Sequence, residues 1–195
     1  MRPSLVLLAG PNGAGKSTLY QTRVAPGFAG PFINADLIQR DDLGDASMEA
    51  SYRAAAIAEE RRTKLLEDRK SFATETVFSH PSKLDLLAAA RERGYIIVVL
   101  HVGVGDPELS VARVKGRAAE GGHDVPEDKI RARFDRGQPL IRQAVLQADR
   151  GMVFDNSGLN EPPHLVLLFA GGRLVQAEAI LPNWVLTGYT DDLLI

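Results

Sequence analysis

Residues 10–17 read Gly-Pro-Asn-Gly-Ala-Gly-Lys-Ser, the pattern Gly-x-x-x-x-Gly-Lys-Ser/Thr. No other feature restricts the fold as much, because such a loop works only between a buried strand and the first turn of a helix. Both neighbours are present. Leu5 to Ala9 is an unbroken apolar run ending at Gly10, as expected of a central parallel strand, and a helix can begin within Gly15 to Thr18. Gly13 and Gly15 let the backbone curl so that its N–H groups face inward, Lys16 adds a cation, and the Ser17 hydroxyl offers an oxygen to Mg2+. The loop therefore predicts a nucleoside triphosphate site built from Gly10, Pro11, Asn12, Gly13, Ala14, Gly15, Lys16, Ser17 and Thr18, with Ser17 as metal ligand.

The rest of the chain alternates short β-branched runs with helical stretches. Strands are expected at 32–34, 72–78, 95–102 and 151–155, and helices over 47–69, from Pro81 to Gly94, from Pro107 to about Gly121 and from Pro126 to about Ala148. Asp106 reads as an N-cap, and Pro139 as a kink or break. His164–Ala170 and Leu174–Ile180, joined by Gly171-Gly172-Arg173, read as a closing β-hairpin. Strands alternating with helices predict a three-layer α/β fold, P-loop kinase-like, with a mostly parallel sheet covered on both faces. At 195 residues, with no linker or repeat, one domain over 1–195 accounts for the chain.

Composition narrows the function classes. A net charge of −2 lacks the basic excess of a dedicated nucleic-acid binder, and no apolar run is long enough to cross a bilayer. The absence of cysteine removes thiolate chemistry and fits the cytoplasm, and the apolar N-terminal run is too short for a secretory leader.

The apolar strand over 95–102 ends in Gly103 without the acid that motor and helicase ATPases place there, and no Asn-Lys-x-Asp loop for guanine is present. The acids fall instead at Asp36, after the second strand, and Glu75, within the third. Acids at those places suit a small-molecule kinase, in which a carboxylate takes the proton of a substrate hydroxyl beside the γ-phosphate.

Several segments then resemble the zeta toxin family of bacterial toxin–antitoxin pairs. They are residues 9–18, Phe32-Ile33-Asn34-Ala35-Asp36, Thr74-Glu75-Thr76-Val77-Phe78-Ser79, Gly94-Tyr95, Pro107-Glu108-Leu109-Ser110, Gly121-Gly122-His123-Asp124-Val125-Pro126 with Ile130 and Arg133, and Asp155-Asn156-Ser157. The resemblance implies transfer of the ATP γ-phosphate to a sugar hydroxyl, with UDP-N-acetylglucosamine as candidate acceptor and a small antitoxin protein as partner. The short chain is closer to the compact chromosomal branch, and the Gly-Gly-His segment replaces an arginine of the plasmid-type toxins. A metabolic or nucleotide-repair kinase, or an ATP-binding interaction module without transfer, would carry the same loop.

Residue roles follow as expectations. Asp36 is the catalytic base, or else an N-cap; Asn34 orients it or completes the turn. Glu75 is a substrate or metal-water ligand, or one end of an internal ion pair. Thr76, Ser79 and His80 lie at the sheet edge where ligands bind, and His123 either touches substrate or closes a hinge. Residues 113–142 hold eight basic and five acidic side chains, a basic lid-like segment. Arg117 and Arg133 are its expected catalytic arginines, Arg131 rivals Arg133, and the remaining cations are expected on a solvated face.

Overall fold

The computed structural model describes residues 2–119, 125–159 and 161–194. The apolar run after Pro3 forms β1 (Ser4–Ala9), and the glycine loop leads into α1 (Lys16–Leu19), continued by a π-helical segment over Tyr20–Val24. Then come β2 (Phe32–Ile33), α2 (Ala35–Leu37) with a second π-helical segment over Ile38–Leu43, and α3 (Met48–Glu67). Ser47 caps α3 by accepting the Ala50 N–H at 3.1 Å, and Ala50, Ala54 and Ala58, spaced by four, are its buried stripe.

β3 (Phe72–Thr76) stops two residues before Phe78, whose positive φ of 53° turns the chain toward α4 (Lys83–Glu92). Gly94, at φ 76°, ends that helix and starts β4 (Ile96–Gly103). α5 (Pro107–Ala119) begins as expected, with Asp106 Oδ1 accepting the Glu108 N–H at 2.8 Å. α6 (Glu127–Gln147) runs unbroken for 21 residues despite Pro139. The proline is exposed, while Ile130, Gly137 and Ile141 on the other side are buried, so packing across the proline holds the helix together. The expected end of α5 at Gly121-Gly122 lies outside the described residues.

β5 (Arg150–Asp155) precedes a hairpin of β6 (His164–Ala170) and β7 (Arg173–Ala177). Gly171 and Gly172 both take positive φ, 54° and 77°, as its two-residue turn requires. β7 ends three residues earlier than the apolar pattern suggests. The tail then forms α7 (Asn183–Gly188) and α8 (Thr190–Leu193), helices the strand pattern did not announce.

The sheet order is β2-β3-β1-β4-β5-β6-β7; β1 to β5 are parallel and the hairpin is antiparallel to them. One face, with Leu5, Leu7, Ile97 and Val99, is covered by α3, α4, α6 and the tail residues Trp184, Val185 and Tyr189. The other face is covered less completely than expected. Leu19 and Tyr20 pack on Val6, Leu8 and Val102, with Tyr20 stacked on Phe32 at 3.7 Å, but a cavity of about 470 Å³ opens between Val24 and Phe28 above and Val98, Leu100 and Met152 below. No helix among the described residues is long and apolar enough to cross a membrane.

Candidate active site

The parallel strands β3, β1 and β4 end side by side, and the glycine loop emerges between its neighbours. Gly10 donates its N–H to the Thr76 carbonyl at 3.3 Å, and a Cβ at this position would collide with the Val102 carbonyl. Gly13 and Gly15 take φ of 71° and 91°, the left-handed region that other residues enter at a cost. Gly13 lies against α5, where a Cβ would come within 2.8 Å of the Ser110 carbonyl.

Lys16 is 7% exposed, and its Nζ donates to the Gly10 and Pro11 carbonyls at 3.1 and 2.9 Å. Burial pulls its pKa below the ordinary lysine value; the charges of Glu75 and then Asp36 oppose this, and Arg117 adds to it. Four side chains spread over a hundred residues of sequence thus share one field. Ser17 Oγ donates to Glu75 Oε2 at 2.7 Å, so Glu75, half-buried at the register position opposite Leu8, meets a loop hydroxyl rather than an internal cation. A hydroxyl and a carboxylate oxygen this close form the all-oxygen donor set that suits Mg2+, which takes few protein ligands and completes its shell from phosphates and water.

Asn34, not Asp36, is the cap. Buried at 4% exposure, its Oδ1 accepts the N–H groups of Asp36 and Leu37 at 2.7 and 3.3 Å, fixing the backbone at Asp36. The Asp36 carboxylate is exposed and has no hydrogen bond or ion pair among the described residues. Thr76 Oγ1 accepts the Phe78 N–H at 3.0 Å and so shapes the turn after β3, and Ser79 is half-buried beside it. His80 is exposed, and its Nδ1 accepts the Ser82 N–H at 3.2 Å while meeting the Ser82 hydroxyl at 2.8 Å. It closes its own loop. His123 lies outside the described residues.

The cations separate clearly. Arg117, exposed on α5, acts on Lys16, and Arg133 on α6 is half-buried without an ion pair among the described residues. Arg131 bonds Glu108 at 2.7 and 2.9 Å and Glu127 at 2.9 Å, and these bonds, Glu108 first, hold its pKa above the ordinary guanidinium value. It clasps α5 to α6. The expectation of a solvated face fails for two others: Arg113 donates to the carbonyls of Asn156 and Gly158 at 2.8 and 3.1 Å, and Arg142 pairs with Asp192 at 2.6 Å. Both are used to hold segments distant in sequence, which charge patterning cannot reveal.

Asp155-Asn156-Ser157, the last segment of the resemblance, closes β5 with a turn in which Asp155 Oδ1 accepts the Ser157 hydroxyl at 2.6 Å, and Asn156 reaches the loop. Its Nδ2 donates to the Ala14 carbonyl inside the loop at 2.8 Å, across 142 residues. Its sequence signals are its place in the Asp155-Asn156-Ser157 segment and its position after a strand, at the sheet edge where loops carry ligands.

Among curated proteins, an uncharacterized protein of Haemophilus influenzae is 25% identical over 143 residues, covering 69% of this chain and 94% of that one. The solved AvrRxo1-ORF1:AvrRxo1-ORF2 complex with ATP is similar at a TM-score of 0.70 and 16% identity, over 89% of this chain and 60% of that one. This chain therefore spans less than two thirds of that structure's length. The PezAT chromosomal toxin–antitoxin system of Streptococcus pneumoniae gives a TM-score of 0.60 at 17% identity, over 80% of this chain and 69% of that one. A putative kinase from Chloroflexus aurantiacus gives 0.54 at 20% identity, over 71% and 80%. At such identities the likeness is one of fold, shared with kinases. The family assignment comes from the sequence itself: residues 5–140, which include the loop and both acids, match the AAA domain family, and the chain belongs to it.

Proposed function

We propose that this chain is an ATP-dependent kinase that transfers the γ-phosphate to a hydroxyl of a small molecule, of zeta toxin type. The observation that carries the reading is the convergence on Lys16 of Glu75, Asp36 and Arg117 beside the Ser17–Glu75 contact. A loop that only bound nucleotide would not need a second carboxylate, Asp36, that faces the Lys16 charge without a hydrogen bond or ion pair among the described residues.

In this reading Lys16 exchanges its bonds to Gly10 and Pro11 for the β- and γ-phosphate oxygens. Ser17, with Glu75 beside it, would hold Mg2+, which would supply charge neutralisation on the phosphates. The acceptor oxygen attacks the γ-phosphorus, the bond to the ADP oxygen breaks, and the hydroxyl proton passes to the Asp36 carboxylate. Arg117 and Arg133 neutralise the equatorial oxygens from the basic segment over 113–142, and Asn34, Thr76 and Ser79 border the acceptor. One domain then holds donor and acceptor on the same sheet edge. The ATP-bound AvrRxo1 complex and the PezAT system support ATP as donor and a small antitoxin protein as partner.

The first acceptor to test is UDP-N-acetylglucosamine. Incubation with ATP, Mg2+ and a panel of nucleotide sugars, sugars and nucleosides, followed by mass spectrometry, is expected to show one acceptor gaining one phosphoryl group. Labelling of another metabolite overturns the proposed acceptor and keeps the kinase. Nucleotide binding with every acceptor unlabelled favours the interaction-module reading.

A further inference from the structure

A loop that turns its N–H groups toward phosphate must turn carbonyls away from it, and those carbonyls need donors. Ala14 is fully buried, and among the described residues its carbonyl has one such donor, Asn156 Nδ2 at 2.8 Å. The peptide joining Ala14 to Gly15 is planar and trans, so holding that carbonyl toward Asn156 points the Gly15 N–H to the opposite side. That N–H has no acceptor among the described residues. The amide also packs against Gly15 itself, where a Cβ would strike Nδ2.

Asn156 is in turn fixed from three directions. Its N–H donates to the Gly103 carbonyl at 2.9 Å, its carbonyl accepts from Arg113 at 2.8 Å, and its neighbour Asp155 is locked at 5% exposure. Asp155 Oδ1 accepts from Trp184 Nε1 and Ser157 Oγ, each at 2.6 Å, which ties the tail helix α7 to the end of β5.

We infer that Asn156 is a positioning residue for the phosphate loop, holding the Ala14–Gly15 peptide so that the Gly15 N–H is preset for a phosphate oxygen, and that Asp155 and Trp184 hold Asn156 in place. This rests on the nucleotide reading above. Asn156 touches no reacting atom; it acts through the loop, so its loss weakens donor binding and leaves acceptor binding alone.

The test is ATP affinity by calorimetry, with the KM for each substrate and the nucleotide-free melting temperature, for wild type, Asn156→Ala and Asn156→Asp. Removing one hydrogen bond is expected to raise the ATP Kd by about five- to tenfold. Asn156→Asp, which offers an acceptor to a carbonyl and a negative charge near phosphate, is expected to raise it more than tenfold. The acceptor KM stays within twofold in both. If the aspartate variant does not fold, the alanine variant decides. Folded variants that bind ATP within twofold of wild type overturn the inference alone. Wild type that binds no ATP overturns the nucleotide reading and the inference with it.

Discussion

Ser17, in the first turn of α1, and Glu75, near the end of β3, lie 58 residues apart in sequence and meet at 2.7 Å, hydroxyl donating to carboxylate. Neither residue predicts the other. Their contact gives Glu75 a role at the loop rather than in the core. Replacing it with Gln keeps the shape and a hydrogen bond to Ser17 but removes the charge. Glu75→Gln is expected to lower kcat by about 10²-fold, within the range for one electrostatic group, and to raise the Mg2+ concentration for half-maximal rate. Initial rates across a Mg2+ titration check this; an unchanged Mg2+ requirement contradicts it.

Keeping Lys16 charged costs the nucleotide-free fold stability. Burial lowers its folded pKa below the unfolded one, so between the two values the unfolded chain binds more protons and stability rises with pH. Below that window the cost is present in full. Lys16→Met keeps the length without the charge. Its melting temperature at neutral pH is expected to equal or exceed that of wild type, while phosphoryl transfer falls by about 10²- to 10³-fold. Calorimetric melting and steady-state rates check both halves.

Arg131 and Arg133 are two positions apart on α6 and face different neighbours. Arg131→Ala opens the clasp to Glu108 and Glu127, whose groups are about half exposed and screened by solvent, so only a small fall in melting temperature is expected and transfer is retained. Arg133→Ala is expected to keep the melting temperature and to lower kcat by at least about 10²-fold. Reversal of these outcomes would exchange the two assignments.

His101 gives a stability signature away from the chemistry. It is fully buried, Nδ1 meets the Tyr189 hydroxyl at 2.8 Å, and burial lowers its pKa to about 3. As pH falls below the ordinary value of 6.5 the unfolded chain takes the proton first, so the stability contributed by neutral His101 is lost progressively toward pH 3. Melting temperatures from pH 7 to pH 4 are expected to fall more steeply for wild type than for His101→Gln. Parallel curves contradict the assignment.

Much of this architecture could be read from local pattern. The loop at 10–17, the capped start of α5 and the apolar β4 each announce themselves within a few residues. What escaped the reading depends on long-range contact. Trp184 and Tyr189 sit in a short tail without helical periodicity, and only the face they cover explains their burial. Arg113 and Arg142 looked like surface charge until Asn156 and Asp192 came within reach. That Asp36 and Glu75 lie near the loop was legible because both acids sit by the ends of short strands, whereas the contact of Asn156 with Ala14 was not, its partner lying 142 residues away.

The central claim is that Asp36 accepts a proton during phosphoryl transfer. The decisive measurement compares Asp36→Asn with wild type in the same preparation, for ATP affinity by calorimetry and for transfer to the labelled acceptor. The account predicts an ATP Kd within about twofold of wild type and a transfer rate lower by about 10²- to 10⁴-fold, the span of general-base catalysis. An asparagine variant that transfers phosphate at the wild-type rate would contradict it.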